Sequence, residues 1–208
     1  MKLSVVIPFY NEENMIQKMY DELVKEINQI TKAEFEIIFI NDGSKDRTFE
    51  RMLAIAAGDS RVKYISFSRN FGKEAGTIAG LEYATGEAVI LMDGDLQHPP
   101  AMLPQMIEAY EQGYDVVSAR RTRTGEKRHR TFLAKHFYKL ANKMMDIELM
   151  DGVSEFRLFS RKVVNAIISM QEYNRFSKGI FAWIGFNEKV IEYENQVRTV
   201  GETKYSLK

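Results

Sequence analysis

The segment from residue 89 to residue 100 reads Val-Ile-Leu-Met-Asp-Gly-Asp-Leu-Gln-His-Pro-Pro. Its apolar start predicts a buried strand, and that strand stops at two carboxylates, Asp93 and Asp95. Carboxylates at the end of a buried strand are costly unless a cation neutralises them. Gln97 adds a third oxygen on the same turn, and these hard oxygen donors suit Mg²⁺ or Mn²⁺ carrying a diphosphate. A surface Asp-Gly turn without a ligand is the simpler alternative.

Outward from this segment, short β-rich runs alternate with helical patterns over the first half of the chain. We predict strands at Leu3–Pro8, Phe35–Ile40, Val62–Phe67, Ala88–Met92 and Val116–Ala119. We predict helices at Glu13–Ile30, Arg47–Ala57, Lys73–Ala84 and Ala101–Gln112. Asp46 is placed to cap the second helix, and Pro100 stands where a helix begins. Strands separated by single helices indicate an α/β fold: one domain, residues 1–208, with a mostly parallel central sheet flanked by helices.

Polar clusters follow three of the predicted strands. They are Tyr10–Glu12 after the first strand, Asn41–Ser44 after the second and Asp93–Asp95 after the fourth. Ligands of open parallel sheets bind beyond the carboxyl ends of the strands, so the three clusters predict one polar cleft. Asp42 is either a turn residue or an acceptor of hydrogen bonds from a base or ribose, and we favour the ligand role.

Three glycines, Gly72, Gly76 and Gly80, recur at a spacing of four. Neither the dinucleotide-binding glycine pattern nor the Walker pattern is present, so we expect them to allow close packing of one helix face. Lys73, at the start of this helix, is still placed to reach a phosphate.

Basic residues are concentrated just after the fifth predicted strand. The block comprises Arg120, Arg121, Arg123, Lys127, Arg128, Arg130, Lys135, Lys139 and Lys143. Such a block indicates an anionic partner: phosphate, nucleic acid or a lipid surface. The helical pattern Thr131–Met145 has an apolar stripe and a lysine stripe, which fits either a core-packed helix or a basic amphipathic helix on anionic headgroups.

Bulk composition sets the remaining limits. The chain has 208 residues, 45% of them hydrophobic, with formal net charge +0 and no cysteine. A chain of this length and hydrophobic content can bury a core of its own. The absence of cysteine excludes disulfides and thiolate metal sites, and it is compatible with a reducing cytoplasm. The apolar run at the N-terminus is too short for a signal peptide, and the stretch Gly179–Phe186 is too short to span a membrane. Trp183, in that stretch, is expected in the core or in the wall of an acceptor pocket.

These motifs together resemble the family 2 glycosyltransferases, in particular the polyprenyl-phosphate (bactoprenol) glucosyltransferases, with dolichol-phosphate mannose synthases as more distant relatives. The motifs of the first half are Val6–Glu13 (VIPFYNEE), Asn41–Asp46 (NDGSKD), Ser68–Lys73 (SRNFGK) and Asp93–Pro99 (DGDLQHP). Those of the second half are Phe156–Leu158 (FRL), Asn174–Phe176 (NRF), Gly179–Gly185 (GIFAWIG) and Gly201–Tyr205 (GETKY).

The resemblance implies a GT-A type fold, with residues 1–119 as the nucleotide-sugar-binding half and residues 120–208 as the acceptor-side half. It implies a donor site in which the uridine is held by Pro8, Tyr10, Glu12 and Asp42. With Lys73, whose position lets it reach a phosphate, and Asp93, these residues make up the expected cofactor-binding set. Mg²⁺ or Mn²⁺ and the diphosphate would be bound by Asp93, Asp95 and Gln97. The acceptor phosphate would be received by Arg120, Arg130 or Arg157. The catalytic set is then expected to be Asp95, Glu155, Arg157 and Arg120, although relatives have aspartate where this chain has Glu155.

The activity implied by the resemblance is inverting transfer of a hexose from a UDP-sugar, expected to be UDP-glucose, to a polyprenyl phosphate such as undecaprenyl phosphate. Because relatives continue past Gly201–Tyr205 into membrane helices, we expect the chain to be part of a longer protein on the cytoplasmic face of the cell membrane, with an anionic lipid surface as partner. A homo-oligomer is compatible with the sequence. The alternatives are a saccharide or protein hydroxyl acceptor and, from another class, a basic nucleic-acid-binding module without catalysis; we expect no nucleic-acid partner.

Overall fold

The computed structural model describes residues 1–122, 153–170, 180–181 and 183–193. The predictions made for Arg130, for the helix Thr131–Met145, for most of the basic block and for Gly201–Tyr205 lie outside these residues. No helix among the described residues is long and apolar enough to cross a bilayer.

The described elements alternate along the chain much as the sequence predicts. The strands are β1 (Lys2–Phe9), β2 (Glu34–Asn41), β3 (Val62–Ser66), β4 (Ala88–Leu91), β5 (Val116–Arg121), β6 (Val153–Ser160) and β7 (Glu188–Tyr193). The α-helices are α1 (Ile16–Ile27), α2 (Thr48–Gly58), α3 (Lys73–Tyr83), α4 (Leu103–Glu111) and α5 (Arg161–Ser169), and a short 3-10 helix spans Pro100–Met102. Asp46 accepts a hydrogen bond from the backbone N–H of Thr48, the first residue of α2, at 3.0 Å.

All seven strands form one sheet, in the order β3-β2-β1-β4-β6-β5-β7. The four strands β1, β2, β3 and β4 run parallel to one another, and β5 runs parallel to β7. Strand β6 runs antiparallel to both of its neighbours, β4 and β5. The predicted mostly parallel sheet is therefore confirmed. Because β6 reverses direction, its first residues lie at the same edge as the carboxyl ends of the other strands.

Alternating side chains of the strands build a core on each face of the sheet. Leu3, Val5 and Ile7 of β1 are buried with apolar residues of α1, α2 and α4. Val6, between them, is buried with Leu81 of α3 and with residues of α5. Each side chain of this kind contributes about 1.5–3 kcal/mol on full burial. Because successive side chains of a strand point to opposite faces, both faces of the sheet are stabilised in this way.

Helix α3 lies close to the sheet because two of its residues lack a side chain. A Cβ at Gly76 would lie 3.4 Å from Ile40 Cγ2, and a Cβ at Gly80 would overlap Val6 Cγ1. The packing role predicted for these two glycines is confirmed. Gly72 differs, since it makes no such contact and instead adopts φ +95°, a backbone conformation that glycine tolerates readily.

Candidate active site

The loops that follow β1 and β2 are fastened to each other by side chains. The backbone N–H of Asn11 donates to Ser44 Oγ at 3.0 Å, and the N–H of Lys45 donates back to Asn11 Oδ1 at 2.8 Å. The N–H of Glu12 donates to Thr48 Oγ1 at 2.8 Å. Asn11 has φ +51°, which asparagine tolerates better than most residues. A turn follows, in which the N–H groups of Met15 and Ile16 both donate to the Glu12 carbonyl, and α1 begins at Ile16, three residues later than predicted.

Asp42 is buried at this edge, with 3% of its surface exposed. Its carboxylate accepts the backbone N–H groups of Phe71 and Gly72 at 2.7 and 3.0 Å. Next to it, Gly43 has φ +65°, and a Cβ there would overlap the backbone of Arg69. The loop 69–72 therefore packs directly on the loop after β2. The Asp42 side chain thus holds the backbone of that loop in place. Each carboxylate oxygen accepts one of these hydrogen bonds and has one further lone pair that could accept a hydrogen bond from a ligand.

The turn after β4 is compact and presents its carboxylates at the edge. Gly94 packs against Phe9, where any Cβ would overlap the ring. Asp95 Oδ1 accepts the backbone N–H of Gln97 at 3.0 Å. Leu96 has φ +59°, a conformation that costs a non-glycine residue about 1 kcal/mol or more. Strain at this turn is consistent with a functional constraint on its shape.

A salt-bridged cluster joins this turn to α3 and β6. The Lys73 ammonium, on the first residue of α3, pairs with both Asp93 Oδ1 and Glu155 Oε2. Antiparallel pairing of Leu91 with Arg157 places Glu155, two residues earlier on β6, opposite Asp93. Burial by itself would lower the pKa of Lys73, but the two carboxylates outweigh that effect and raise its pKa above the usual value.

His98 packs against the interior side of this turn. Its Nδ1 accepts the backbone N–H of Asp93 at 2.9 Å, so the ring proton belongs on Nε2, which lies 3.8 Å from Asp93 Oδ2. The ring stacks on Phe156, with centroids 5.3 Å apart. Burial lowers the pKa of His98, although Asp93 raises it, so the neutral form is favoured.

The donor atoms of this turn fit a divalent cation that is shared with a ligand. Among the described residues, no group of three or more histidine, cysteine, aspartate or glutamate side chains is arranged to enclose a metal ion. Asp93 already contacts a cation, the Lys73 ammonium, which shows that positive charge is accommodated there. Two carboxylates and the amide oxygen of Gln97 suit Mg²⁺ or Mn²⁺, which are commonly held by one or two carboxylates plus phosphate oxygens.

Two arginines predicted for the acceptor phosphate differ in their surroundings. Arg120, at the end of β5, has a side chain 41% exposed and pairs with Glu192 on the surface. Arg157 is 5% exposed, and its Nη1 lies 3.4 Å from Glu188 Oε1. Its Nε is also buried and has no hydrogen-bond partner among the residues that the structure describes. Its guanidinium lies over the ring of Phe181 at 5.1 Å. Arg120 is thus accessible to a large acceptor, whereas Arg157 is fixed in the interior.

Several residues of this region were not predicted from the sequence. Ser118 donates to Glu188, the partner of Arg157, so a polar pair lies beneath the edge. The polar serine within the apolar run of β5 was the only signal for it. Trp183 is 66% exposed, so the predicted core position is wrong, because the aromatic residue buried in this stretch is Phe181.

The sequence matches the protein-family model described as glycosyl transferase family 2 over residues 4–168. CsbB of Bacillus subtilis (strain 168), named as a glycosyltransferase, is 50% identical over 205 residues, which are 99% of this chain and 62% of that protein. The prophage bactoprenol glucosyl transferase homolog of Escherichia coli (strain K12) is 44% identical over 207 residues, 99% of this chain and 67% of that protein. The chain thus spans about two thirds of the length of these relatives.

A solved structure has a similar fold. Glucosyl-3-phosphoglycerate synthase from Mycobacterium tuberculosis, crystallised with Mn²⁺, UDP-glucose and phosphoglyceric acid, superposes with a TM-score of 0.59 at 20% identity. The match covers 97% of this chain and 73% of that one. It confirms the predicted single α/β domain of GT-A type.

Proposed function

Because this chain belongs to glycosyl transferase family 2, we propose that it transfers a hexose from a UDP-sugar to a polyprenyl phosphate, with UDP as leaving group. The observation that carries the donor half is the contact of the Lys73 ammonium with Asp93, in the turn after β4 that also contains Asp95. The acceptor half is supported by relatives named bactoprenol glucosyl transferase. UDP-glucose is the donor and undecaprenyl phosphate the acceptor of choice for the assay.

The uridine binds along the edges of β1 and β2. Pro8, Tyr10 and Glu12 line it from the end of β1, where each is partly exposed. Asp42 contributes chiefly by holding the loop 69–72 in place, and contacts the nucleoside through the lone pairs that its two backbone bonds leave free.

The diphosphate lies over the turn after β4. Asp93, Asp95 and Gln97 would hold the Mg²⁺ or Mn²⁺, which would supply positive charge beside the diphosphate as the sugar–oxygen bond breaks. Lys73 lies at the N-terminus of α3, where its ammonium and the backbone N–H groups of the first helical turn would face the same anion.

The acceptor phosphate is received by Arg120, the accessible arginine of the pair. A phosphate monoester, with its second pKa about 6, is largely a dianion at neutral pH and attacks without help from a general base. Glu155 therefore does not need to accept a proton, and its carboxylate positions the Lys73 ammonium instead. Arg157 supports the site from the interior through Glu188.

The stereochemical outcome follows from a single displacement. When the lipid phosphate oxygen attacks the anomeric carbon in line with the departing UDP, the configuration inverts, and an α-linked donor yields a β-linked product. NMR of the purified product distinguishes the two anomers, and an α-linked product contradicts this mechanism.

The first test is calorimetric titration of UDP into the chain in the presence of Mn²⁺, and again in EDTA. We expect binding with Mn²⁺ that is lost in EDTA and lost in Asp95→Ala. Asp21→Ala is the matched control, because Asp21 lies on the exposed side of α1, where its carboxylate accepts a hydrogen bond from the Gln17 amide. UDP binding that is the same in EDTA and in Asp95→Ala contradicts the proposed donor site.

The acceptor is tested by transfer from labelled UDP-glucose to undecaprenyl phosphate in detergent, using the chain and its Arg120→Gln variant. We expect label in the lipid fraction, reduced strongly by the substitution. Label appearing only on a soluble saccharide or a protein hydroxyl would replace the proposed acceptor by the alternative one.

The place of action is the cytoplasmic face of the cell membrane, where the basic block after β5 meets anionic headgroups. Flotation with vesicles tests this. Binding is expected to require anionic lipid and to weaken with salt, because exposed charges are screened. Binding that is indifferent to both contradicts the proposal.

A further inference from the structure

Lys73 is in an electrostatically unfavourable position for a cation. It is the first residue of α3, and the N-terminus of a helix carries partial positive charge, which favours acidic side chains there. The next residue, Glu74, follows that preference, whereas Lys73 opposes it. A lysine in this position needs compensation from elsewhere.

That compensation comes from two other elements of the fold. Asp93 follows β4 and Glu155 lies near the start of β6, and both carboxylates contact the Lys73 ammonium. The Asp93 and Glu155 side chains are partly buried, with exposures of 29% and 18%, and the Lys73 side chain is 40% exposed, so water screens part of their attraction. The ammonium therefore serves as counter-ion to carboxylates that would otherwise repel one another.

A divalent cation that binds Asp93 must compete with this ammonium. Asp93 Oδ1 is held by Lys73, and Oδ2 faces His98 Nε2 at 3.8 Å. If the ion took Oδ1 alone, Lys73 would lose one carboxylate at a helix end that repels it. A diphosphate arriving with the ion removes that penalty, because its oxygens give the ammonium a new anionic partner beside the N–H groups of α3.

We propose that Lys73 acts as an internal counter-cation that gates the metal site: it holds Asp93 until a divalent ion arrives together with a nucleoside diphosphate, and it then moves to the diphosphate oxygens. The inference rests on the proposed function for the identity of this ligand. Metal and diphosphate consequently bind interdependently, and by linkage each raises the affinity for the other by the same factor.

The test measures Mn²⁺ binding without any turnover. Free Mn²⁺ is followed by electron paramagnetic resonance in titrations with and without UDP, on the wild-type chain, Lys73→Met and Lys73→Arg. Lys32→Met is the matched control, since it removes the same charge from an ion pair with Glu111 and lies before β2, at the opposite edge of the sheet.

In the wild type, UDP is expected to raise the Mn²⁺ affinity about tenfold or more. In Lys73→Met, the Mn²⁺ affinity without UDP rises by about the same factor, because the competing charge is gone, and the gain from adding UDP shrinks. Lys73→Arg keeps the charge and is expected to behave like the wild type, as is Lys32→Met.

The outcomes separate this inference from the proposed function. A wild-type chain that binds no UDP with Mn²⁺ contradicts the proposed function itself. A wild-type chain that binds both, but with Mn²⁺ affinity independent of UDP, overturns the counter-cation role and leaves the proposed function standing; this measurement does not depend on any variant folding. Unchanged or weaker Mn²⁺ binding by a folded Lys73→Met chain overturns it as well.

Discussion

At the scale of single residues, the site is distinguished by carboxylates that already have partners. Glu155 pairs with Lys73, and Asp42 accepts two backbone N–H groups. Neither is free to act as a proton acceptor without losing these contacts. Their roles are therefore best tested by substitutions that keep shape and remove charge.

Glu155→Gln is expected to lower kcat/KM by less than about a hundredfold, the lower end of what a general base contributes. The reason is that the phosphate acceptor needs no base, so only the position of Lys73 suffers. The measurement is kcat/KM against pH, with Glu111→Gln, from the surface pair with Lys32, as control. A loss above a thousandfold together with a changed pH profile would identify Glu155 as a base.

Asp42→Asn is expected to reduce the free energy of unfolding by about 1–3 kcal/mol. The amide nitrogen cannot accept the N–H of Phe71 or Gly72, so one partly buried backbone donor loses its partner. Urea unfolding measures this loss, and calorimetry is expected to show weaker UDP binding because the loop 69–72 is released. Wild-type stability in Asp42→Asn would exclude the loop-holding role.

At the scale of elements, the close approach of α3 to the sheet determines where Lys73 begins. Gly80 contacts Val6 of β1, and Gly76 contacts Ile40 of β2, so α3 cannot slide without opening the core. Hydrogen bonds also fasten the C-terminal side of α3 to the sheet. Buried Glu36 of β2 accepts them from Ser4 of β1 and from Thr85, which follows α3.

Gly80→Ala is expected to destabilise the chain by about 1–3 kcal/mol, since the added methyl group overlaps Val6 and forces α3 away from β1. Gly58→Ala is the matched control. Gly58 lies at the end of α2, where no described residue has an atom within 4 Å of the new Cβ, and the substitution is expected to be neutral or slightly stabilising. Chemical unfolding compares the two, and equal effects would show that α3 can move freely.

Stability at acid pH is expected to depend on Glu36. Burial by itself would raise the pKa of Glu36, but bonds from Lys63, Ser4 and Thr85 outweigh it and hold the pKa well below the usual range. The folded state therefore binds the proton less readily than the unfolded chain. The stabilisation is complete above the unfolded pKa of about 4.3 and is lost as the pH falls below it.

The test compares the free energy of unfolding at several pH values in wild type and Glu36→Gln. The variant is expected to show a shallower loss toward acid pH. Glu34→Gln serves as control, because Glu34 is the exposed first residue of the same strand. Parallel curves for wild type and Glu36→Gln would contradict the assignment.

At the scale of the whole molecule, the sheet combines both halves of the chain. Strand β6 lies between β4 and β5 and pairs with each. A fragment of residues 1–121 would contain β4 and β5 without the strand that joins them. We expect this fragment to lack cooperative urea unfolding, as measured by circular dichroism; a sharp transition like that of the full chain would contradict this expectation.

Sequence patterns predict the first half of this fold well and the second half poorly. Strand β4 is a continuous apolar run, and β1 and β2 contain the apolar runs Val5–Phe9 and Ile37–Ile40, a pattern typical of buried parallel strands. In β6, Glu155 and Arg157 alternate with apolar residues, and β7 carries Glu188 and Glu192, so neither was predicted. Asp93 and Lys73 were placed at the edge from topology alone. Their contact with Glu155 required the antiparallel direction of β6, which no local pattern shows.

That direction has a practical consequence for redesign. Strand β5 ends at Arg121 and β6 begins at Val153, and both points lie on the edge that carries Asp93. Residues 122–152 therefore leave the sheet and rejoin it at the edge that carries the candidate active site. We therefore expect that this segment can be exchanged for that of a relative, with both junctions in the strands, to change the choice of the proposed acceptor while the proposed donor residues stay unchanged.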